Sequence, residues 1–193
     1  MRSVVTDTPE SESALIESCR GGDRDALRQI FELYKDKVYS LALYHFEGDR
    51  SAAHDAAQQA FVKLFSAIRG FRGDCAFATW LYRIVWNCCV DRRRSERAYT
   101  ALDDLSREPE QAQSLEESYA RRQLAGSVQK AVGSLKRDLR WPIMLRYFED
   151  LSYRDIGAIM GCSEGTVASR LNRAHRMLAG KLAHLAGALP RDR

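Results

Sequence analysis

Aromatic side chains lie close to arginines along residues 77–94, where the chain reads FATWLYRIVWNCCVDRRR. Flat rings can stack on unpaired nucleic-acid bases, and guanidinium groups bind phosphates. On a helix, Trp80, Arg83, Asn87 and Arg94 fall along one side. Such a surface suits a single nucleic-acid strand or a base turned out of a duplex. The alternative is a core helix whose tryptophans pack against neighbouring helices and whose arginines form a solvated end, and this stretch alone leaves both open.

The helix that carries these residues has two further sides. Helical spacing predicts a buried stripe made of Phe77, Leu81, Ile84 and Cys88. Tyr82 and Trp86 lie on a third side, so the aromatic residues exceed what one core face needs. The run Arg92, Arg93 and Arg94 at the end of the stretch supplies cations for phosphates.

A second candidate nucleic-acid surface lies in LSYRDIGAIMGCSEGTVASRLNRAHRML, residues 151–178. Ser152 and Ser163 can each cap a helix, and Gly161 suits the left-handed turn between them, which is the pattern of a helix–turn–helix. The exposed side of the second helix should combine short polar side chains for base edges with cations for phosphates or guanine. Its members are Glu164, Thr166, Ser169, Arg170, Arg173 and Arg176. A solvated helical hairpin with a basic rim is the alternative.

Helical periodicity dominates the segments that must position these residues, and the fold class is predicted to be all-α. We expect two small helical domains joined by a flexible acidic linker, the second domain containing the helix–turn–helix. The predicted divisions are a disordered tail (1–10), a four-helix domain (11–97), an acidic linker (98–120) and a second helical domain (121–187). The linker has six acidic residues and one arginine, so its net charge is 1 − 6 = −5.

Local signals predict where individual helices begin. Asp23 should cap a helix that runs to about Phe46, and Asp49 or Ser51 should open the next one. Pro142 falls within a helical pattern, so that helix should kink or begin near Trp141.

Composition excludes several classes of protein. The chain has 193 residues and a net charge of +4. It has no apolar run long enough to span a bilayer and no signal-peptide core at its start. We therefore expect a cytoplasmic protein without membrane insertion. Its five cysteines lack CxxC spacing, which favours idle thiols over a zinc site or a redox sensor. We predict no metal, no cofactor and no small-molecule substrate.

The order of these motifs resembles the extracytoplasmic-function (ECF) sigma factors, a small two-domain class of bacterial transcription factor. The resemblance is carried by GGDRDALRQIFELYKDKVYSLA, DAAQQAFVKLF, FRGDCAFATWLYRI and, after the acidic segment, GTVASRLNRA. It implies a dissociable, non-catalytic subunit that directs core RNA polymerase to promoter DNA. It also implies a cognate anti-sigma factor that silences the subunit.

The resemblance assigns roles to individual residues. Polymerase contacts are expected in the segment with Asp55, Gln58, Gln59 and Phe61, although the family usually has an acid where this chain has Gln59. The −10 element would be held by Phe71, Arg72, Trp80, Arg83, Asn87, Arg92, Arg93 and Arg94. The −35 element would be read by the exposed side of the second helix of the helix–turn–helix. The acidic linker would thread the RNA exit path of the polymerase.

Two other functions share part of this pattern. A helix–turn–helix regulator that is not a polymerase subunit would need neither the aromatic helix nor the acidic linker. A nucleic-acid-processing enzyme lacks support, because the chain has no GxxxxGK[ST] phosphate loop and no paired acids that suggest a metal site.

Overall fold

The computed structural model describes residues 9–100 and 119–183. Within these ranges it contains helices and no strand, which confirms the predicted all-α class. The α-helices are α1 (Pro9–Arg20), α2 (Arg24–His45), α3 (Arg50–Ala67), α4 (Phe77–Thr100), α5 (Tyr119–Gly133), α6 (Arg137–Tyr147), α7 (Tyr153–Met160) and α8 (Glu164–Leu182), and a 3-10 turn (Ile68–Gly70) follows α3.

Side-chain caps determine where the helices of the first domain begin. The Asp23 carboxylate accepts the backbone N–H of Asp25 at 2.8 Å and opens α2. Asp49, rather than Ser51, caps α3 by accepting the N–H of Ala52 at 3.0 Å. Each cap satisfies a backbone donor that a helix start leaves unpaired.

Some predicted boundaries differ from the helices observed. α1 begins at Pro9, inside the predicted tail, and α4 continues to Thr100, three residues into the predicted linker. α6 begins at Arg137, well before Trp141, and Pro142 lies inside it. Residues 1–8, 101–118 and 184–193 lie outside the described part of the chain, so the predicted tail, most of the linker and the end of the second domain stay predictions.

Alanines let α3 lie close to its neighbours in the first domain. Five alanines of this helix are buried against α2 and α4, and their small side chains allow a short distance between helix axes. They are Ala52, Ala53, Ala56, Ala57 and Ala60. This packing places the exposed side of α3 next to the side of α4 that carries Cys88, Asp91 and Arg92.

The helix–turn–helix forms as its caps and turn glycine predict. Ser152 accepts the N–H of Asp155, and Ser163 accepts the N–H of Thr166. Gly161 adopts φ 65° and ψ 41° between the two helices. Apolar residues at helical spacing fill the inner side of both helices. Ile156, Ile159, Met160, Val167, Leu171 and Ala174 are buried, and Leu178 is half-buried.

The two domains pack directly against each other. α4 lies against α7, and α2 lies against α6. The Trp141 indole of α6 reaches the C-terminal end of α2, where its Nε1–H donates to His45 Nδ1 at 2.9 Å. A single continuous core of buried residues therefore runs through both domains.

Candidate nucleic-acid and polymerase surfaces

The outer side of α4 carries the predicted strand-binding residues. Arg83, Asn87 and Arg94 are exposed along it, and Trp80 is half-buried at its N-terminal end. An exposed amide lies between two guanidinium groups along this side of the helix. This arrangement can hydrogen-bond a base edge while the arginines contact phosphates.

Trp80 is held in place by a small aromatic cluster. Its ring centroid lies 5.0 Å from that of Phe71 and 5.9 Å from that of Phe77. Phe71 is itself buried, so it anchors the loop that precedes α4. It does not present the exposed ring that the predicted direct contact with DNA requires. The next residue, Arg72, is exposed in that loop.

The third side of α4 has a different use from the one its aromatic residues suggested. Tyr82 is fully buried, and its hydroxyl donates to the Glu149 carboxylate of the second domain. Trp86 packs against Trp141, with 4.9 Å between ring centroids. Tyr82 and Trp86 therefore serve contact between domains, whereas Trp80 stays beside the exposed arginines.

A groove between α3 and α4 brings most of the predicted polymerase-binding residues together. Asp55, Gln58 and Gln59 line it, and Val62 joins them as an apolar residue that is 54% exposed. Phe61 does not line the groove; it is buried and packs edge-on against Phe31 at 4.8 Å.

The rim of this groove consists of ion pairs that cross from α3 to α4. Arg92 Nη2 lies 3.0 Å from Asp55 Oδ2, and Lys63 Nζ lies 3.6 Å from Asp91 Oδ2. Arg92 therefore belongs to the groove, whereas Arg94 lies on the exposed outer part of α4. Balanced charges around an exposed apolar residue resemble the polar rim and apolar centre of a protein–protein interface.

The predicted reading residues of α8 divide into exposed and half-buried sets. Glu164, Ser169, Arg173 and Arg176 are exposed, and Thr166 and Arg170 are half-buried. The Thr166 hydroxyl lies 2.9 Å from Ser163 Oγ, so it also supports the helix cap.

Arg170 has a contact within the turn of the helix–turn–helix. Its Nη1 lies 3.6 Å from Cys162 Sγ. The turn and α8 are thus joined by this side-chain contact as well as by the Ser163 cap.

Gly157 has a structural role that sequence reasoning missed. A Cβ atom at this position would lie 2.6 Å from the backbone carbonyl oxygen of Cys162. The turn can therefore fold back onto α7 only because this residue has no side chain. A glycine four residues before the turn glycine, inside an apolar helix, was the available signal.

His45 lies in a buried and electropositive place. Burial is the main cause that lowers its pKa to about 3, and the nearby charges of Arg137, Arg93 and Arg140 lower it further. Glu47 is the acidic group near these arginines, with Oε1 3.7 Å from Arg140 Nη2. His45 is therefore neutral at physiological pH, with Nδ1 able to accept the Trp141 indole N–H.

This neutral histidine should make stability depend on pH. In the unfolded chain His45 takes up a proton near pH 6.5, whereas in the folded chain it does so only near pH 3. Protonation below pH 6.5 therefore stabilises the unfolded chain, and the free energy of unfolding should fall by about 2 kcal/mol between pH 7 and pH 5. Denaturant titrations at both pH values measure this. His45→Asn, which keeps an acceptor for Trp141, should show a smaller fall, and equal falls in the two proteins would contradict the assignment.

The cysteines show no sign of shared chemistry. Burial raises the pKa of the Cys19, Cys88 and Cys89 thiols, and all five cysteines are free. Within residues 9–100 and 119–183, no group of three or more histidine, cysteine or acidic side chains is arranged to hold a metal ion. No helix in the same ranges is both long and apolar enough to cross a membrane.

Comparison with protein families matches both domains. The Sigma-70 region 2 model matches residues 30–99, and the Sigma-70 region 4 model matches residues 125–178. The RNA polymerase sigma-H factor of Pseudomonas aeruginosa is 36% identical over 181 residues, which cover 89% of this chain and 93% of that protein. The ECF RNA polymerase sigma-E factor of Escherichia coli K12 is 36% identical over 190 residues, covering 89% and 94%. The chain belongs to the ECF sigma factor family.

Solved structures agree with this membership of the sigma factor family. The sigma factor RpoE of Bartonella quintana, in complex with the anti-sigma factor NepR, is similar with a TM-score of 0.64 and 25% identity over 81% of this chain and 96% of that one. CnrH, in complex with the cytosolic domain of CnrY, is similar with a TM-score of 0.63 and 25% identity over 89% and 96%. This sigma factor therefore shares its helical architecture with both.

Proposed function

We propose that this chain is an ECF sigma factor that directs core RNA polymerase to promoters by capturing the −10 strand and recognising the −35 duplex. The observation that carries the proposal is the presence of two separate polar and cationic surfaces, on α4 and α8, in the domains that match sigma regions 2 and 4. The polymerase performs the chemistry. The sigma factor is a non-catalytic subunit that acts in the cytoplasm.

Polymerase binding is assigned to the groove between α3 and α4. Asp55, Gln58 and Gln59 contribute polar contacts there, and Val62 contributes an apolar one. Phe61 supports the groove from within the core. Arg92, paired with Asp55, also moves from the expected DNA surface to this groove.

Strand capture at the −10 element is assigned to the outer side of α4. Trp80 offers a partly exposed ring, Asn87 offers hydrogen bonds to a base edge, and Arg72, Arg83 and Arg94 offer phosphate contacts. An unpaired base that stacks on an aromatic ring gains about 1–3 kcal/mol, which offsets part of the cost of opening the duplex. Arg93, expected on this surface, is half-buried, and its charge acts on the buried His45.

Recognition of the −35 duplex is assigned to α8. Ser169, Arg173 and Arg176 are exposed and reach outward, and the exposed Glu164 lies at the helix N-terminus, where it can accept from a cytosine amine. Thr166 and Arg170 lie partly under this surface and position it through Ser163 and Cys162.

An anti-sigma factor is the proposed regulatory partner. The similar RpoE of Bartonella quintana was solved with an anti-sigma factor, and the likeness covers most of both chains. We propose that a partner of this class silences the present sigma factor as well.

A binding assay separates this function from that of an independent helix–turn–helix regulator. The sigma factor should protect promoter DNA from cleavage only when core polymerase is added. A regulator would give the same footprint alone. A footprint on a promoter-sized fragment without polymerase would contradict the proposal.

Asn87→Ala should impair promoter opening without loss of polymerase binding, because Asn87 lies on the outer side of α4 and outside the groove. We expect permanganate-detected opening at the −10 element to fall about tenfold, the equivalent of 1.4 kcal/mol. Gln29→Ala removes an exposed amide from α2 and is the matched control. A loss of polymerase affinity in Asn87→Ala would show that this side of α4 has been assigned wrongly.

A further inference from the structure

A cavity in the first domain lies apart from both the polymerase groove and the outer side of α4. It has a volume of about 360 Å³ and is formed where α1 meets the start of α2 and the end of α3. Its inner wall is apolar and includes Leu27, Phe65 and Ile68, whereas Arg24 and Arg69 supply the charged part of its lining. Cavities of about 300–1,000 Å³ that combine an apolar wall with a few polar groups are typical of ligand sites.

The two arginines of this cavity lack carboxylate partners. Arg24 and Arg69 are both exposed, and neither forms an ion pair with any residue of 9–100 or 119–183. The neighbouring carboxylate of Asp23 is occupied elsewhere, because it accepts the N–H groups of Asp25 at 2.8 Å and Ala26 at 3.4 Å. Two such guanidinium groups beside one cavity favour an anion, and phosphate matches their planar donor geometry.

Gly22 allows Arg69 to come close to the start of α2. A Cβ atom at position 22 would lie 3.2 Å from Arg69 Nη2, and the backbone of Gly22 has φ 89°. The left-handed conformation and the missing side chain therefore let the guanidinium of Arg69 lie against this loop. An arginine from the end of α3 and Arg24 from the start of α2 thus share one cavity.

The cavity continues the surface that is assigned to strand capture. Arg69 precedes Phe71 by two residues, so their Cα atoms are at most about 7 Å apart. The ring of Phe71 lies 5.0 Å from that of Trp80, and Arg72 is exposed in the same loop. A strand that follows the outer side of α4 past Trp80 therefore reaches Arg72 and then the cavity.

We propose that this cavity holds one nucleotide of the unpaired promoter strand, next to the bases that α4 captures. Its phosphate lies between Arg24 and Arg69, and its base packs against the half-buried Phe65. Anchoring the strand on both sides of Trp80 keeps it extended and opposes its return to the duplex. The role in promoter opening rests on the proposed function, whereas the affinity of the cavity for a nucleotide does not.

Arg24→Gln and Arg69→Gln test the phosphate contact in the complete complex with core polymerase. On a template whose −10 segment is held open by mismatches, each variant should raise the dissociation constant about 3- to 10-fold. Each should also reduce the slope of log affinity against log salt concentration by about 0.7, the value for one cation on a single strand. Arg28→Gln is the matched control, since Arg28 is exposed on α2 one turn after Arg24 and does not line the cavity.

Phe65→Leu tests the base contact separately from the phosphate contact. Stacking on a ring is not ionic, so this variant should weaken binding about 5-fold while the salt slope stays at the wild-type value. Affinity for core polymerase should be unchanged in Arg24→Gln and Arg69→Gln, because the cavity and the polymerase groove have no lining residue in common.

A labelled short oligothymidylate, titrated with the full chain alone, tests the cavity without polymerase. Fluorescence anisotropy should show weaker binding by Arg24→Gln and Arg69→Gln than by Arg28→Gln, about 3- to 10-fold in each case. Equal affinities and equal salt slopes for the three variants in both assays would overturn the nucleotide site, even if the chain directs transcription. Failure to bind polymerase would instead contradict the proposed function and leave the oligothymidylate result to decide the cavity.

Discussion

Gly157→Ala should remove −35 recognition and destabilise the second domain. The added Cβ would lie 2.6 Å from the carbonyl oxygen of Cys162, which is backbone and cannot rotate away. The turn must then shift, and α8 shifts with it. We expect the free energy of unfolding to fall by about 1–3 kcal/mol, as overpacking in a core does. Polymerase footprints should lose protection at the −35 element, with affinity reduced about tenfold or more.

Gly180→Ala is the matched control for that substitution. Gly180 lies in α8, where an added Cβ would meet no atom within 4 Å. Alanine has the higher helix propensity, so this variant should be unchanged or more stable by about 0.5–1 kcal/mol. If Gly157→Ala kept wild-type stability and full −35 protection, the close approach of α7 to the turn would have no functional importance.

Val62→Asp should abolish most polymerase binding. Val62 is an exposed apolar residue among the ion pairs of the groove, and an added carboxylate would lie in the same groove as Asp55 and Asp91. Hot-spot residues, which cluster near the centre of an interface, cost about 2 kcal/mol or more in binding free energy when they are replaced, so the dissociation constant for core polymerase should rise about 30-fold or more. Fluorescence anisotropy of labelled sigma factor titrated with core polymerase measures it.

Leu33→Asp provides a close comparison, because Leu33 is 52% exposed on α2 and lies outside the groove, whereas Val62 is 54% exposed within it. Both substitutions add one carboxylate to a partly exposed apolar site. Equal losses of affinity would point to a general effect of charge, and loss in Leu33→Asp alone would move the polymerase surface to α2.

Local sequence signals predicted the starts of α2, α3, α7 and α8 and the helix–turn–helix well. Asp23, Ser152, Ser163 and Gly161 act through residues close to them in the chain, so their roles follow from short-range rules. The burial of Phe61 could also have been predicted from helical spacing. Residues 55, 58, 59 and 62 recur at helical spacing on one side of α3, and position 61 falls outside that set.

Contacts between distant residues had no such signal. His45 and Trp141 are 96 positions apart, and nothing near either residue indicates the other. The aromatic surplus of α4 was compatible with a DNA surface and with a packing surface, and only the position of the second domain shows that Tyr82 and Trp86 serve packing. Phe71 lies in a loop, where no periodicity distinguishes a buried ring from an exposed one.

Run-off transcription from a promoter library tests the central claim most directly. Purified core polymerase should produce transcripts from a defined subset of promoters only when this chain is added, with shared sequences near −10 and −35 among the templates selected. Transcripts that do not depend on the chain, or an absence of stimulation on every template, would contradict its assignment as a sigma factor.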